Sequence, residues 1–391
     1  MNQSTKELSH NSEVQTYRRF PFVVEKGKGS WVFTDEGEKY LDLYGGHAVT
    51  GTGHCHPRVV AAIKGQAETM LFYSNLVYMK VRAEAASLLV KKLPDNLDKV
   101  FFVNSGTEAN ENAIKIARKI TGRETILSFE GGFHGRTMAS AGATGIKKVR
   151  EAVTPLAPAH LIVPFCDLAA VEKCLSTGKV AGLIIEPIQS MAGVVSGKAS
   201  FYQGLADLCN RFGTKLIYDE VQTGIGRCGG WFYAGRHGVT PDIVTMGKSM
   251  ASGVPMAAVA VSDEISDQIS FGDLGTTFGG GPLACAAMIA TFEVIEEESL
   301  IEHAFKSGEF LKSELLSIPG VESVQGEGFL LGIRFFKEAK PWQHALLEKY
   351  IITGLSNDPY VLRLMPPLNI STEELKLFID AVRSIASVVC H

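Results

Sequence analysis

Thr214-Lys-Leu-Ile-Tyr218-Asp219-Glu220-Val221-Gln222-Thr223-Gly224, with Asp242-Ile-Val-Thr245-Met246-Gly-Lys248-Ser249 a little further on, decides the fold. In both stretches a short apolar, β-branched run leads to a charged side chain, Asp219 in one and Lys248 in the other. Near-continuous apolar runs of this length, alternating with helical patterns, are buried strands of a parallel sheet. Ligands of such sheets collect beyond the carboxyl ends of the strands. Working outward, Lys99-Val-Phe-Phe-Val103, Glu124-Thr-Ile-Leu-Ser128 and Val180-Ala-Gly-Leu-Ile-Ile185 read the same way. The fold class is therefore α/β, a mostly parallel sheet covered by helices.

The pattern changes after Pro282. Leu283, Ala287, Met288, Phe292 and Ile295 recur at helical spacing and predict a long helix leaving the sheet. Ser371 and Glu374 form a capping box ahead of Leu375, Phe378, Ile379, Val382 and Ile385. Near the start, Trp31 to Asp42 reads as two strands around an Asp-Glu-Gly turn. The expected division is a large unit over 46–282 and a smaller α+β unit formed by 283–391 together with 1–45.

A chain of 391 residues suits two or three packed units. Hydrophobic residues at 46% and charged residues at 20% are ordinary for a globular protein. A net charge of −4 argues against nucleic acid and anionic membranes as partners. No apolar run approaches a membrane span, and the polar stretch Met1 to Tyr17 lacks the core of a signal peptide. The cysteines (Cys55, Cys166, Cys174, Cys209, Cys228, Cys285, Cys390) are scattered without a C-x-x-C pair. Free thiols and a cytoplasmic setting are expected.

Four strand ends carry polar chemistry. After Val103 comes Asn104-Ser-Gly-Thr-Glu108, then a helical face of Ala109, Ala113, Ile116 and Ile120. A small turn at a helix N-terminus presents free N–H groups to a phosphate, and it equally fits a plain N-cap on Ser105 or Thr107. Ile185 delivers Glu186-Pro-Ile-Gln189. Asp219, with apolar strand behind it, needs a cationic partner, which a structural ion pair or a pyridinium N–H would supply. Lys248, flanked by small residues, can bend into the site and form an imine with an aldehyde, although a lone lysine there is more often a solvated loop charge. Two other motifs are decoys. Gly224-x-Gly226-x-x-Gly229 follows a strand, but Gly230-Trp-Phe-Tyr is no helix start, which disfavours nicotinamide binding. His54-Cys-His56 lacks a second ligand cluster, so no metal is expected and a turn before a helix is the better reading.

Taken together, these motifs resemble the class III pyridoxal-phosphate-dependent aminotransferases of the acetylornithine and ornithine type, a subgroup of PLP fold type I. The resemblance runs from Tyr40-Leu-Asp-Leu to Leu362-Arg-Leu-Met-Pro-Pro-Leu368. It implies pyridoxal 5′-phosphate as cofactor and Lys248 as the imine lysine that also moves protons. It implies Asp219 on the pyridine nitrogen, Gln222 near the ring hydroxyl, and Ser105, Gly106 and Thr107 on the phosphate. Phe133 and Val221 would flank the ring, with Glu186 also against the cofactor. Thr276 and Thr277 would reach the phosphate of a neighbouring subunit, giving a homodimer with shared sites. Arg136 and Arg363 would take substrate carboxylates. The implied reaction moves an amino group from an acetylornithine-like ω-amine donor to 2-oxoglutarate by a ping-pong route, within arginine biosynthesis. Ornithine, 4-aminobutyrate, succinylated lysine-pathway and alanine–glyoxylate types are alternatives. A non-catalytic protein of the same fold would lack Lys248 or Asp219, and both are present. Two positions depart from the family pattern. Met191 stands where a glutamate is usual, and Gly281 where Gly-Gly-Asn-Pro has asparagine.

Overall fold

The computed structural model describes residues 4–155 and 159–389. Its centre is a seven-stranded sheet in the order Lys99–Val103, Ala257–Val261, Ile243–Met246, Lys215–Asp219, Val180–Ile185, Thr125–Phe129, His160–Val163. Only Ala257–Val261 runs antiparallel to its neighbours. The other six strands therefore bring their carboxyl ends to one edge. All six residues of Val180–Ile185 are buried, as expected of a strand covered on both faces. Burying one such isoleucine or leucine contributes ~1.5–3 kcal/mol.

Five of these strands match the sequence expectation to within one residue. Two were not foreseen. Ala257-Ala-Val-Ala-Val261 is alanine-rich and so weak in strand propensity, and His160–Val163 is a four-residue edge strand.

The helix Gly106–Thr121 starts at the carboxyl edge of the sheet, is capped by Ser105, and buries Ala109, Ala113, Ile116 and Ala117. The helix predicted after Pro282 spans Pro282–Glu297 and packs on Pro57–Thr69 and Lys80–Val90. Val321–Glu327, Leu330–Phe335, Val361–Leu364 and Gly354–Leu355 form an antiparallel sheet that carries Arg363. Trp31–Thr34 and Lys39–Asp42 pair antiparallel as expected, and Ile351–Ile352 joins Lys39–Asp42 in parallel. That pairing ties the first part of the chain to the last. The capping box forms as read, with the Ser371 amide donating to Glu374 Oε2 at 2.8 Å and the Glu374 amide to Ser371 Oγ at 3.2 Å.

Among the described residues, no helix is long and apolar enough to cross a membrane. The six described cysteines are unbridged, and Cys390 lies outside the described residues.

Candidate functional site

At the carboxyl edge, Asp219 ends its strand at 2% exposure. Its Oδ2 accepts from Asn110 Nδ2 at 2.7 Å and faces His134 Nδ1 at 2.8 Å. Among the described residues its Oδ1 accepts only from the Val221 amide, at 3.1 Å. Asn110 is itself held, because Thr245 Oγ1 donates to its Oδ1 at 2.7 Å and its Nδ2 also donates to the His134 carbonyl at 2.7 Å. The His134 amide in turn donates to Thr144 Oγ1 at 3.0 Å. Three strand ends and one helix thus fix a single carboxylate.

Neither Asn110 nor His134 was assigned a role from sequence. Asn110 did leave a signal: it is a polar residue on the otherwise apolar stripe of its helix. His134 stood inside the quoted Phe-His-Gly-Arg motif without a partner to suggest its task.

Lys248 follows the strand Ile243–Met246 with a left-handed backbone, φ +48°. Burial pushes its amine's pKa down, against the opposing pull of Asp219 and Glu186. Glu186 is buried and accepts from the Phe133 amide at 2.7 Å. Burial raises its pKa to about 7, opposed by His134.

The turn before Gly106–Thr121 forms the plain N-cap that the sequence allowed. Ser105 is an N-cap, its Oγ accepting from the Glu108 amide at 3.3 Å. Thr107 Oγ1 meets Ser140 Oγ at 2.6 Å and Thr137 Oγ1 at 2.9 Å. Gly106 is packed so closely that a Cβ there would lie 2.6 Å from Val221 Cγ1. That contact joins the turn to the Asp219 strand.

Gln222 points its amide at Met365 Sδ. Thr276 Oγ1 accepts from Asn104 Nδ2 of its own chain at 3.3 Å, whereas Thr277 is exposed. Arg136 is exposed and forms no ion pair with the described residues.

Arg363 is a buried cation of the site, 4% exposed. Nε donates to the Leu355 carbonyl at 2.8 Å, Nη1 to Ser190 Oγ at 2.9 Å and Nη2 to Tyr44 Oη at 2.7 Å. All three partners are neutral, and burial pushes its pKa down. Tyr44 and Ser190 carried no sequence signal, because their relation to Arg363 exists only across distant strands.

Tyr44 opens a turn, Gly45–Ala48, in which every residue has a left-handed φ between +54° and +66°. For the non-glycines His47 and Ala48 this costs ~1–2 kcal/mol each.

The decoys resolve without chemistry. His54 Nε2 meets Asp42 Oδ2 at 2.8 Å, while His56 Nε2 meets Glu298 Oε1 at 3.1 Å, so the two rings diverge ahead of helix Pro57–Thr69. The Gly224–Gly229 stretch runs through turns, and no α-helix starts directly after it.

Pyridoxal phosphate fits the residues present. A carboxylate oxygen with one backbone partner, an amine without a hydrogen-bond partner among the described residues, and a helix N-terminus whose glycine admits no side chain are gathered at one edge.

The profile of the aminotransferase class-III family matches residues 13–386. The acetylornithine aminotransferase of Methanopyrus kandleri is 42% identical over 375 residues, covering 95% of this chain and 96% of its own. The crystal structure of acetylornithine aminotransferase from Elizabethkingia anophelis superposes with a TM-score of 0.85 at 31% identity, covering 98% of each chain. The ornithine aminotransferase of Toxoplasma gondii superposes with a TM-score of 0.92 at 29% identity, over 98% of this chain and 94% of that one.

Proposed function

We propose that this chain, which belongs to the class III aminotransferases, moves the ω-amino group of an acetylornithine-like donor to 2-oxoglutarate in two alternating half-reactions at one site. It is a pyridoxal-phosphate-dependent transaminase. When bound, the cofactor supplies an aldehyde for the Lys248 amine and a ring that draws electrons from the carbon bearing the donor's nitrogen.

The chain's own residues do the rest. Asp219 would hold the proton on the ring nitrogen through Oδ1, whose one protein partner among the described residues is the Val221 amide. Lys248, its amine's pKa lowered by burial, would be the base that takes a proton from the donor carbon once the donor's amine has displaced it from the aldehyde carbon, and the acid that gives the proton back on the far side of the shared nitrogen. Ser105, Gly106 and Thr107 receive the phosphate at the helix N-terminus. Phe133 and Val221 flank the ring, with Glu186 steadying the Phe133 backbone. Gln222 approaches the ring hydroxyl, and Arg136 and Arg363 receive carboxylates.

Arg363 is the observation that carries the substrate assignment. A buried guanidinium without an acid of its own is completed by a carboxylate, and 2-oxoglutarate brings two.

The same reading includes a homodimer in which Thr276 and Thr277 approach the partner's phosphate. It is supported by the exposed apolar run Leu71, Phe72, Tyr73, Leu76, Val77 and Tyr78, and by exposed Phe278, whose ring lies tilted at 5.2 Å from that of Phe72. Residues 46–282 form its cofactor unit, and 1–45 with 283–391 its second unit. A cytoplasmic setting accords with the six unbridged thiols.

Steady-state kinetics with N-acetylornithine and 2-oxoglutarate tests the proposal. Parallel double-reciprocal lines with glutamate as product are expected. Turnover of alanine or 4-aminobutyrate without turnover of N-acetylornithine would overturn the donor assignment.

A further inference from the structure

Beside the turn at Gly106 three hydroxyls meet in a triangle. Thr107 Oγ1 lies 2.6 Å from Ser140 Oγ and 2.9 Å from Thr137 Oγ1, and Thr137 Oγ1 lies 2.9 Å from Ser140 Oγ. Gly135 makes room for them, since a Cβ there would stand 2.1 Å from Thr107 Oγ1 and 2.5 Å from Ser140 Oγ. Ser140 is fully buried, Thr107 half-buried and Thr137 exposed.

The triangle is tethered to a carboxylate. Glu111 Oε1 accepts from the amides of Ala139 at 2.9 Å and Ser140 at 3.0 Å, and from Thr137 Oγ1 at 2.6 Å. An ionised carboxylate only accepts, so the Thr137 proton is committed to it. Two protons remain, on Thr107 and Ser140, for the three edges of the triangle. Within the triangle, Thr107 can therefore accept from Ser140 alone. That edge is also the shortest open to Ser140, whose other acceptors are Thr137 Oγ1 at 2.9 Å and the Thr137 carbonyl at 3.4 Å.

An anion at the helix N-terminus draws the Thr107 proton outward, away from Thr137. With Ser140 in place, Thr107 Oγ1 stays anchored through the bond that it accepts. Without Ser140, the bond that holds Thr107 in the triangle is its own donation to Thr137, which it must break to reach the anion. Chains of hydroxyls also polarise one another, so a donor behind Thr107 makes its proton the better one to give.

We propose that Ser140 is a positioning residue for the cofactor: its hydroxyl donates to Thr107 Oγ1 and holds that oxygen in place while the Thr107 proton goes to the cofactor's phosphate. The inference rests on the reading of Ser105, Gly106 and Thr107 as the phosphate seat, and adds a supporting residue behind it.

The experiment is an absorbance titration of the full-length apoenzyme with pyridoxal 5′-phosphate and with pyridoxal, which lacks the phosphate. Ser140→Ala should weaken binding of the phosphorylated aldehyde about fivefold, the scale of one hydrogen bond between neutral groups, and leave pyridoxal unchanged. Alanine is the better helix former and leaves Thr107 and Thr137 bonded to each other, so the variant should fold. In a Thr107→Ala background, Ser140→Ala should have no further effect, because Ser140 acts through Thr107. Equal losses for both aldehydes would mark a structural role and overturn the proposal. So would an undiminished effect of Ser140→Ala when Thr107 is already alanine. The two readings fail separately. If Ser140→Ala binds the phosphorylated aldehyde normally while Thr107→Ala does not, the seat stands and the support falls. If Thr107→Ala itself binds it normally, the seat falls and the proposal with it.

Discussion

Asp219 and Arg363 are both buried charges at the same site, and the protein treats them differently. Asp219 has His134, Asn110 and the Val221 amide arranged on it, two of them crowding one oxygen. Arg363 has a phenol, a hydroxyl and a carbonyl, and no acid. Hydrogen bonds to charged groups contribute ~1.5–3 kcal/mol each, so both are anchored in position. Only the aspartate is set among groups that crowd one oxygen and leave the other with a single backbone partner. The guanidinium is left to be neutralised by whatever enters. A resident cofactor calls for a finished socket, whereas a substrate that alternates between two acids calls for an unfinished one.

The strongest way to break this comparison is at the finished end. Asp219→Asn keeps the shape but removes the charge that, on the proposed reading, retains a proton on the ring nitrogen. Turnover should fall by roughly two or more decades, the scale seen when a proton-positioning group is lost. Cofactor should still bind, visible by absorbance. Near-normal kcat would mean that the carboxylate is there only to hold Asn110 and His134.

A smaller effect is expected one step back. Asn110→Ala strips one donor from Asp219 Oδ2 and leaves Thr245 Oγ1 without its acceptor. An unsatisfied buried group costs ~1–3 kcal/mol, so Tm should drop by several degrees. Turnover should fall about tenfold, with KM little changed. If Tm falls but kcat does not, the network supports the fold and not the chemistry.

The unfinished end can be probed without touching Arg363. Gly354 lies against the Tyr44 ring so closely that an added Cβ would sit 1.9 Å from Tyr44 Cε2. Gly354→Ala must push the ring aside and loosen the phenol from Arg363. Overpacking of this kind costs ~1–3 kcal/mol. KM for 2-oxoglutarate should rise several-fold while kcat at saturation is retained. An unchanged KM would show that Tyr44 does not set the guanidinium's position.

The contrast between the two ends also explains what was legible in the sequence. Asp219 and Lys248 announce themselves because a charge at the end of an apolar strand violates the local pattern. The parallel sheet followed from the same runs, each continuous and near-fully buried. The supporting groups break no pattern along the chain. Tyr44 and Arg363 are 319 residues apart, and Asn110 and Asp219 are 109 apart. Ala257–Val261 was missed because alanine says little about strand, and its place is set by pairing with both Lys99–Val103 and Ile243–Met246. The left-handed turn at Gly45 had a glycine pair to suggest it, but nothing local foretold that His47 and Ala48 would follow in the same conformation.

Met191 offers the finest test of the comparison, because it stands beside the unfinished end without taking part in it. Its carbonyl accepts from the Asn357 amide at 2.8 Å, which pins the backbone next to Ser190, and Ser190 Oγ accepts from Arg363. The family pattern has a glutamate here, and a thioether cannot ion-pair. With Met191, Arg363 meets every incoming substrate unpaired. An α-amino acid brings a carboxylate to complete it, and an ω-amine donor brings only methylenes to that spot. Met191→Glu would supply the missing acid when the donor is an ω-amine and compete with the carboxylate of an α-amino acid. The ratio of kcat/KM for N-acetylornithine to that for alanine should rise, by up to about tenfold, corresponding to ~1.4 kcal/mol of transition-state discrimination. KM for 2-oxoglutarate should rise in parallel, since the new acid must give way before the acceptor binds. An unchanged ratio would mean that Tyr44 and Ser190 already satisfy the guanidinium. In that case the two ends of the site are equally finished, and the contrast drawn from their hydrogen bonds is one of partners and not of function.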